Sequence, residues 1–77
     1  MTSKVNGLSD RMMEIKDDLN LSYRDIQKIT EISKSMWSSY RDEINQPSAI
    51  NLYRIGKYLG ISVDWLLGLS DKKYISE

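Results

Sequence analysis

The segment ISKSMWSSY, residues 32–40, combines four serines and one lysine with a methionine, a tryptophan and a tyrosine. Serine hydroxyls donate and accept hydrogen bonds, and an ammonium group donates them, so these side chains suit recognition of polar edges. On a helix that starts after Ser33, the outer face collects Lys34, Ser35, Ser38 and Ser39. A helix with such short outward side chains is thin enough to enter the DNA major groove, which is about 12 Å wide, and to reach base edges.

The composition excludes most catalytic and metal-binding chemistry. The 77 residues include no cysteine and no histidine, which excludes disulfides, thiolate metal sites, cysteine nucleophiles and histidine acid–base catalysis. The carboxylates are scattered over helix exteriors, and a chain of this size offers little pocket, so we expect neither an enzyme nor a small-molecule substrate. We expect no cofactor and no metal.

Charge and hydropathy limit the classes of partner that the chain is expected to bind. No apolar run reaches the length of a membrane span or of the apolar part of a signal peptide, so we expect no membrane partner and a cytoplasmic location. The 11 lysines and arginines balance the 11 acidic residues, giving a formal net charge of zero. DNA-binding domains usually carry a basic face, so nucleic-acid binding here requires that the charges be segregated over the surface.

The spacing of apolar residues is helical throughout, which predicts an all-α domain. Serines at positions 22, 33, 48 and 62 are suitable N-caps, and Asp25 can complete a capping box with Ser22. The apolar stripes and caps predict five helices, at about residues 8–19, 22–30, 34–41, 48–59 and 62–67.

The inner faces of the short helices form the predicted core. Trp37 occupies an inward position on the third helix, with Ile32 before it and part of Tyr40 after it, while the Tyr40 hydroxyl stays free to reach a phosphate. The buried sides of the second and fifth helices are predicted to be Ile26 with Ile29, and Val63 with Leu66 and Leu67.

Residues 21–68, LSYRDIQKITEISKSMWSSYRDEINQPSAINLYRIGKYLGISVDWLLG, resemble the helix-turn-helix domain of the Cro and phage-repressor family, the XRE type. The resemblance rests on the order, spacing and caps of the matching positions. These are Leu21, Ser22, Ile26, Thr30, Ile32, Ser33, Ser35, Ser38, Tyr40, Pro47, Ser48, Leu52, Ile55, Leu59, Gly60, Ser62, Asp64, Leu66, Leu67 and Gly68.

The resemblance implies a compact five-helix bundle of the lambda-repressor-like type and a transcriptional regulator, repressor-like and of phage or bacterial origin. Such proteins bind double-stranded operator DNA, usually as homodimers whose half-sites lie about 34 Å apart. The alternative function is an antirepressor or accessory module on the same fold, which binds another regulator protein. The zero net charge, the acidic pair Asp42 and Glu43, and an exposed Trp65 motivate that alternative.

Matching positions imply DNA roles for eight residues. These are Arg41 as a phosphate contact, Tyr23 as a phosphate contact or a support of the third helix, Lys34, Ser35, Ser38 and Ser39 in the groove, and Asn45 and Gln46 at the backbone. A ninth candidate, Met36, is either exposed helix surface or an apolar contact with a thymine methyl. Glu31 stands where the family has glycine, so it must adopt a left-handed backbone conformation. Asp42 and Glu43 face phosphates unfavourably unless they point away or pair with Arg41.

A second surface is predicted around Trp65, where the family often has glutamate. A tryptophan at a solvent-facing position predicts dimer or partner contact, together with Tyr58 and Leu69. The alternative is packing against the chain's own tail, at Tyr74 or Ile75. Residues 1–69 are predicted to form the helix-turn-helix domain, and residues 70–77 a polar, frayed tail.

Overall fold

The computed structural model describes residues 4–75, which form five α-helices and no strand. The helices are α1, Leu8–Asp18, α2, Tyr23–Thr30, α3, Lys34–Arg41, α4, Ala49–Leu59, and α5, Val63–Leu66. α1 packs against α3 and α5, α2 packs against α3 and α4, and α4 packs against α5. The prediction of an all-α bundle is confirmed.

Serine caps begin four of the five helices. Ser22, Ser33, Ser48 and Ser62 each accept a hydrogen bond from the backbone amide three residues later. Asp25 also accepts from the amide of Ser22 at 2.9 Å, which completes the predicted capping box. These bonds satisfy amides that have no partner inside the helix, so the helix starts are encoded locally.

Trp37 lies at the centre of the core and is fully buried, as predicted. Its ring centroid is 6.5 Å from that of Tyr40, and its indole Nε1 has no hydrogen-bond partner among the described residues. The other buried apolar side chains are Leu8, Met12, Ile15, Ile26, Ile32, Tyr40, Ile55, Ile61 and Leu66. α3 is therefore fixed to the bundle by its aromatic side, which leaves its serine side outward.

The predicted burial is wrong for Ile29, which is 40% exposed. Each residue turns a helix by about 100°, and the inward direction of α2 lies between Ile26 and the fully buried Thr30. Ile29 therefore lies to one side of that direction. Val63 and Leu67 are only half-buried, because α5 is a single turn that presents Leu66 to the core.

The prediction of a frayed tail is wrong for residues 70–75, and residues 76–77 lie outside the described part of the chain. Tyr74 forms an antiparallel bridge with Ile61, and the Lys73 carbonyl accepts from the Ser62 amide at 2.8 Å. The Lys73 ammonium forms ion pairs with Glu14 and Asp18 of α1. The pairs with α1 join positions more than 50 residues apart, so local sequence patterns do not reveal them.

Candidate nucleic-acid interface

The turn between α2 and α3 is held by one buried hydroxyl. Thr30 Oγ1 donates to the Ile26 carbonyl at 2.7 Å and accepts from the Ile32 amide at 3.2 Å. Glu31, which lies between Thr30 and Ile32, adopts the left-handed conformation with φ 65° and ψ 18°, as predicted for the position that glycine occupies in the family. The hydroxyl satisfies the amide of buried Ile32, just beyond the end of α2, and so holds the turn that leads to α3.

The outer face of α3 carries the predicted polar residues at different exposures. Lys34, Ser35 and Met36 are exposed, while Ser38 and Ser39 are half-buried. The Ser39 hydroxyl donates to the Met36 carbonyl at 2.6 Å, and the Ser35 hydroxyl lies 3.3 Å from that of Ser33. The Ser38 hydroxyl forms no hydrogen bond with residues 4–75, so its donor is available to a ligand.

A groove of about 520 Å³ runs along α2 to the start of α3. Its lining consists of Tyr23, Arg24, Gln27, Lys28 and Lys34. Three of these five side chains are cationic and none is a carboxylate. The groove therefore presents positive charge beside the polar outer face of α3, which is the arrangement that attracts phosphate.

Tyr23 of α2 contacts cations of two other helices, Lys16 of α1 and both Lys34 and Arg41 of α3. Its hydroxyl accepts a hydrogen bond from Arg41 Nη1 at 2.8 Å. The Lys16 ammonium lies 4.7 Å from the centroid of its ring, and the Lys34 ammonium lies 5.5 Å from it. Both ammonium distances are within the range of cation–π attraction, so Tyr23 gathers three cationic side chains on one side of the bundle, two at its ring and one at its hydroxyl.

Both acidic residues after α3 are paired. Asp42 accepts from Arg41 Nε at 2.9 Å and from Arg41 Nη2 at 3.2 Å, and Glu43 pairs with Lys4 at 2.8 Å. The hydrogen bond from Arg41 lowers the pKa of Asp42 below 3.8, and the same bond raises the pKa of Arg41. The predicted pairing with Arg41 thus holds for Asp42, whereas Glu43 binds the N-terminal segment.

The loop after α3 packs against the N-terminal segment. The side-chain carbonyl of Gln46 accepts from the backbone amide of Val5 at 2.7 Å. The backbone amide of Asn45 donates to the Ser39 carbonyl at 3.3 Å. Tyr40 departs from its prediction, because it is buried and its hydroxyl accepts from Asn51 Nδ2 at 2.8 Å. That hydroxyl is engaged by α4 and does not point to a phosphate.

Of the three residues predicted to form a partner surface, Trp65 is half-buried and Tyr58 and Leu69 are exposed. Trp65 is half-buried against the core and does not occupy a solvent-facing position. Lys73 of the tail lies 5.4 Å from the centroid of its ring, so the tail contacts Trp65, as the alternative predicts. Tyr58 and Leu69 remain exposed, at 50% and 75%.

Sequence reasoning missed four residues at this interface. Arg24, Gln27 and Lys28 share the face of α2 opposite Ile26, and the spacing of that face could have identified them. Lys16 contacts the Tyr23 ring from α1, and no local sequence pattern predicts that contact. The missed cations lie with Lys34 on one side of the bundle, although the formal net charge of the chain is zero.

Residues 4–75 contain no group of three or more side chains that could hold a metal ion. Within the same residues, no helix combines the length and the apolar composition of a membrane span.

A scan of protein-family models, a search of curated proteins and a search of solved structures each returned no match to this chain.

Proposed function

We propose that this chain is a sequence-specific DNA-binding regulator of transcription of the Cro and phage-repressor type, with α3 inserted into the major groove. The observation that supports the proposal most strongly is the cationic groove of α2 beside the outer face of α3. A duplex needs both features, since phosphate contacts position a protein and base-edge contacts specify the sequence.

In the proposed complex the two helices have different roles. Arg24 and Lys28 of α2 neutralise phosphates at the groove wall, and Lys34 at the start of α3 contacts a guanine edge or the adjoining phosphate. Ser38 reads a base edge with its free hydroxyl. Met36, which is 40% exposed, contacts a thymine methyl.

The exposed polar chemistry is modest, so one copy binds weakly. We therefore propose that two copies bind operator half-sites about 34 Å apart, one helical turn of DNA. Exposed Tyr58 and Leu69 are candidates for the contact between copies or for contact with a partner regulator.

Selection of bound duplexes from random DNA tests the proposal directly. Enrichment of one sequence motif, repeated with two-fold symmetry, supports both sequence recognition and the homodimer. With the selected duplex, log affinity should fall linearly with log salt, at about 0.9 per phosphate contacted. If no duplex is retained at low salt, the DNA-binding proposal is wrong.

The roles of α3 are tested by the double variant Lys34→Ala/Ser38→Ala. We expect loss of discrimination between the selected duplex and a scrambled one, with thermal unfolding unchanged within a few degrees. The matched control is Ser70→Ala/Lys72→Ala, which removes the same two residue types from the tail and should bind as the parent does. Equal binding by the α3 variant would show that another surface reads the DNA.

One observation favours the alternative function, a module that binds a regulator protein. α4 exposes Ile50 and Tyr53, each more than half exposed, and Lys57 lies 5.5 Å from the Tyr53 ring centroid and 5.7 Å from that of Tyr58. Exposed aromatic side chains are enriched in protein interfaces, so this surface of α4 is a candidate contact for a partner protein. Retention of a partner protein by this surface, in a chain that binds no duplex, would support the alternative.

A further inference from the structure

Arg41 does not present a free positive charge at the proposed DNA interface. It ends α3 and is exposed, yet three of its five N–H donors are engaged inside the protein, two by Asp42 and one by the Tyr23 hydroxyl. Asp42 is ionised at neutral pH, since the hydrogen bond from Arg41 lowers its pKa. The Arg41–Asp42 pair therefore carries no net charge.

The pairing distinguishes Arg41 from its neighbours. Lys16, Arg24, Lys28 and Lys34 form no ion pair with any residue between positions 4 and 75. Arg41 is joined to the same cluster through Tyr23, and of these five cations it is the one that forms an ion pair within residues 4–75. An exposed bidentate pair competes with phosphate for the same guanidinium edge, because carboxylate and phosphate present similar paired oxygens.

We propose that Asp42 is an affinity-setting residue, which masks Arg41 and so weakens the grip of the protein on the phosphate backbone. The inference rests on the proposed DNA-binding function, and it concerns what limits DNA affinity at that same interface. Removal of the carboxylate frees the Nε–Nη2 edge of Arg41 for a phosphate, while the Tyr23 hydroxyl still holds Nη1 in place. Binding to all duplexes then tightens, since a phosphate contact carries no sequence information.

Asp42→Asn is the informative variant, because it keeps the shape of the side chain and removes its charge. Glu43→Gln is the matched control: it removes one negative charge at the next position, but Glu43 pairs with Lys4 and its loss does not free Arg41. A difference between the two variants therefore reports the release of Arg41 and not the general change in net charge.

Both variants and the parent are titrated with a fluorescent duplex selected from random DNA, and with a scrambled duplex of the same length, from about 50 to 200 mM salt. Relative to Glu43→Gln, we expect Asp42→Asn to bind both duplexes about two- to fivefold more tightly at low salt, the range of exposed ion pairs. The slope of log affinity against log salt should steepen by about 0.9, one phosphate. Adding Arg41→Gln should remove both effects.

The outcomes separate this inference from the proposal beneath it. Equal affinities and slopes for Asp42→Asn and Glu43→Gln, when the parent binds, overturn the masking role alone. Weaker binding by Asp42→Asn also overturns it, because Asp42 would then orient Arg41 for a phosphate. If neither the parent nor any variant binds a duplex, DNA binding and masking are both refuted. Thermal unfolding of each variant establishes that the folded protein is compared.

Discussion

Thr30→Val tests whether one hydroxyl holds the turn between α2 and α3. The substitution keeps the shape of the side chain but leaves the Ile32 amide without the Thr30 hydroxyl, its acceptor among the described residues. A buried unsatisfied donor costs about 1–3 kcal/mol. In addition, a methyl group replaces an oxygen that lies 2.7 Å from the Ile26 carbonyl, so the new side chain is crowded there.

A loss of about 2 kcal/mol lowers the midpoint of thermal unfolding by about 8–16 °C in a domain of this size. Thr30→Ser is the control, because it keeps both hydrogen bonds and loses one methyl group, worth about 1 kcal/mol. Hydrogen exchange at the Ile32 amide should quicken in the valine variant beyond what the lower global stability explains. A valine variant as stable as the serine variant or the parent would refute the role assigned to the hydroxyl.

Two further predictions concern the turn and the tail. Glu31→Gly removes the strain of a left-handed glutamate, φ 65°, and should raise the unfolding midpoint by about 3–6 °C, whereas Glu31→Ala should not. Lys73→Met removes the partner of Asp18, whose pKa is lowered below 3.8 mainly by the hydrogen bond from Lys73. Because the pKa of Asp18 is lower in the folded protein, its pairing with Lys73 stabilises the fold at pH values above 3.8. This stabilisation is lost as the pH falls through the lowered pKa. The stability difference between the parent and Lys73→Met, measured by thermal unfolding, should therefore shrink in strong acid; a constant difference would contradict it.

Local signals account for what the sequence predicts well. Caps and apolar stripes lie within single helices, so the roles of Ser22, Ser33 and Trp37 follow from the residues close to them in the chain. The outer face of α3 follows from the same periodicity once Trp37 is placed inward. The prediction for Ile29 is wrong because Thr30, a polar residue, occupies the inward position through its hydrogen bonds.

Contacts between distant parts of the chain account for what could not be predicted. Arg41 binds a tyrosine 18 positions earlier, and Lys73 binds Asp18 across 55 positions. Such pairs depend on how whole helices are packed, and neither residue type nor spacing marks them. The same is true of the cationic cluster on Tyr23, which includes Lys16 from another helix.

The two tryptophans have contrasting surroundings, which makes them separate optical reporters. Trp37 is fully buried and its indole N–H contacts no acceptor among the described residues, so its emission is that of a dry, apolar site. Trp65 has the Lys73 ammonium 5.4 Å from its ring, and this charge leaves when the tail detaches. Trp37 therefore reports melting of the core, whereas Trp65, which is half-buried against the core, reports both the loss of the Lys73 contact and the melting of the core.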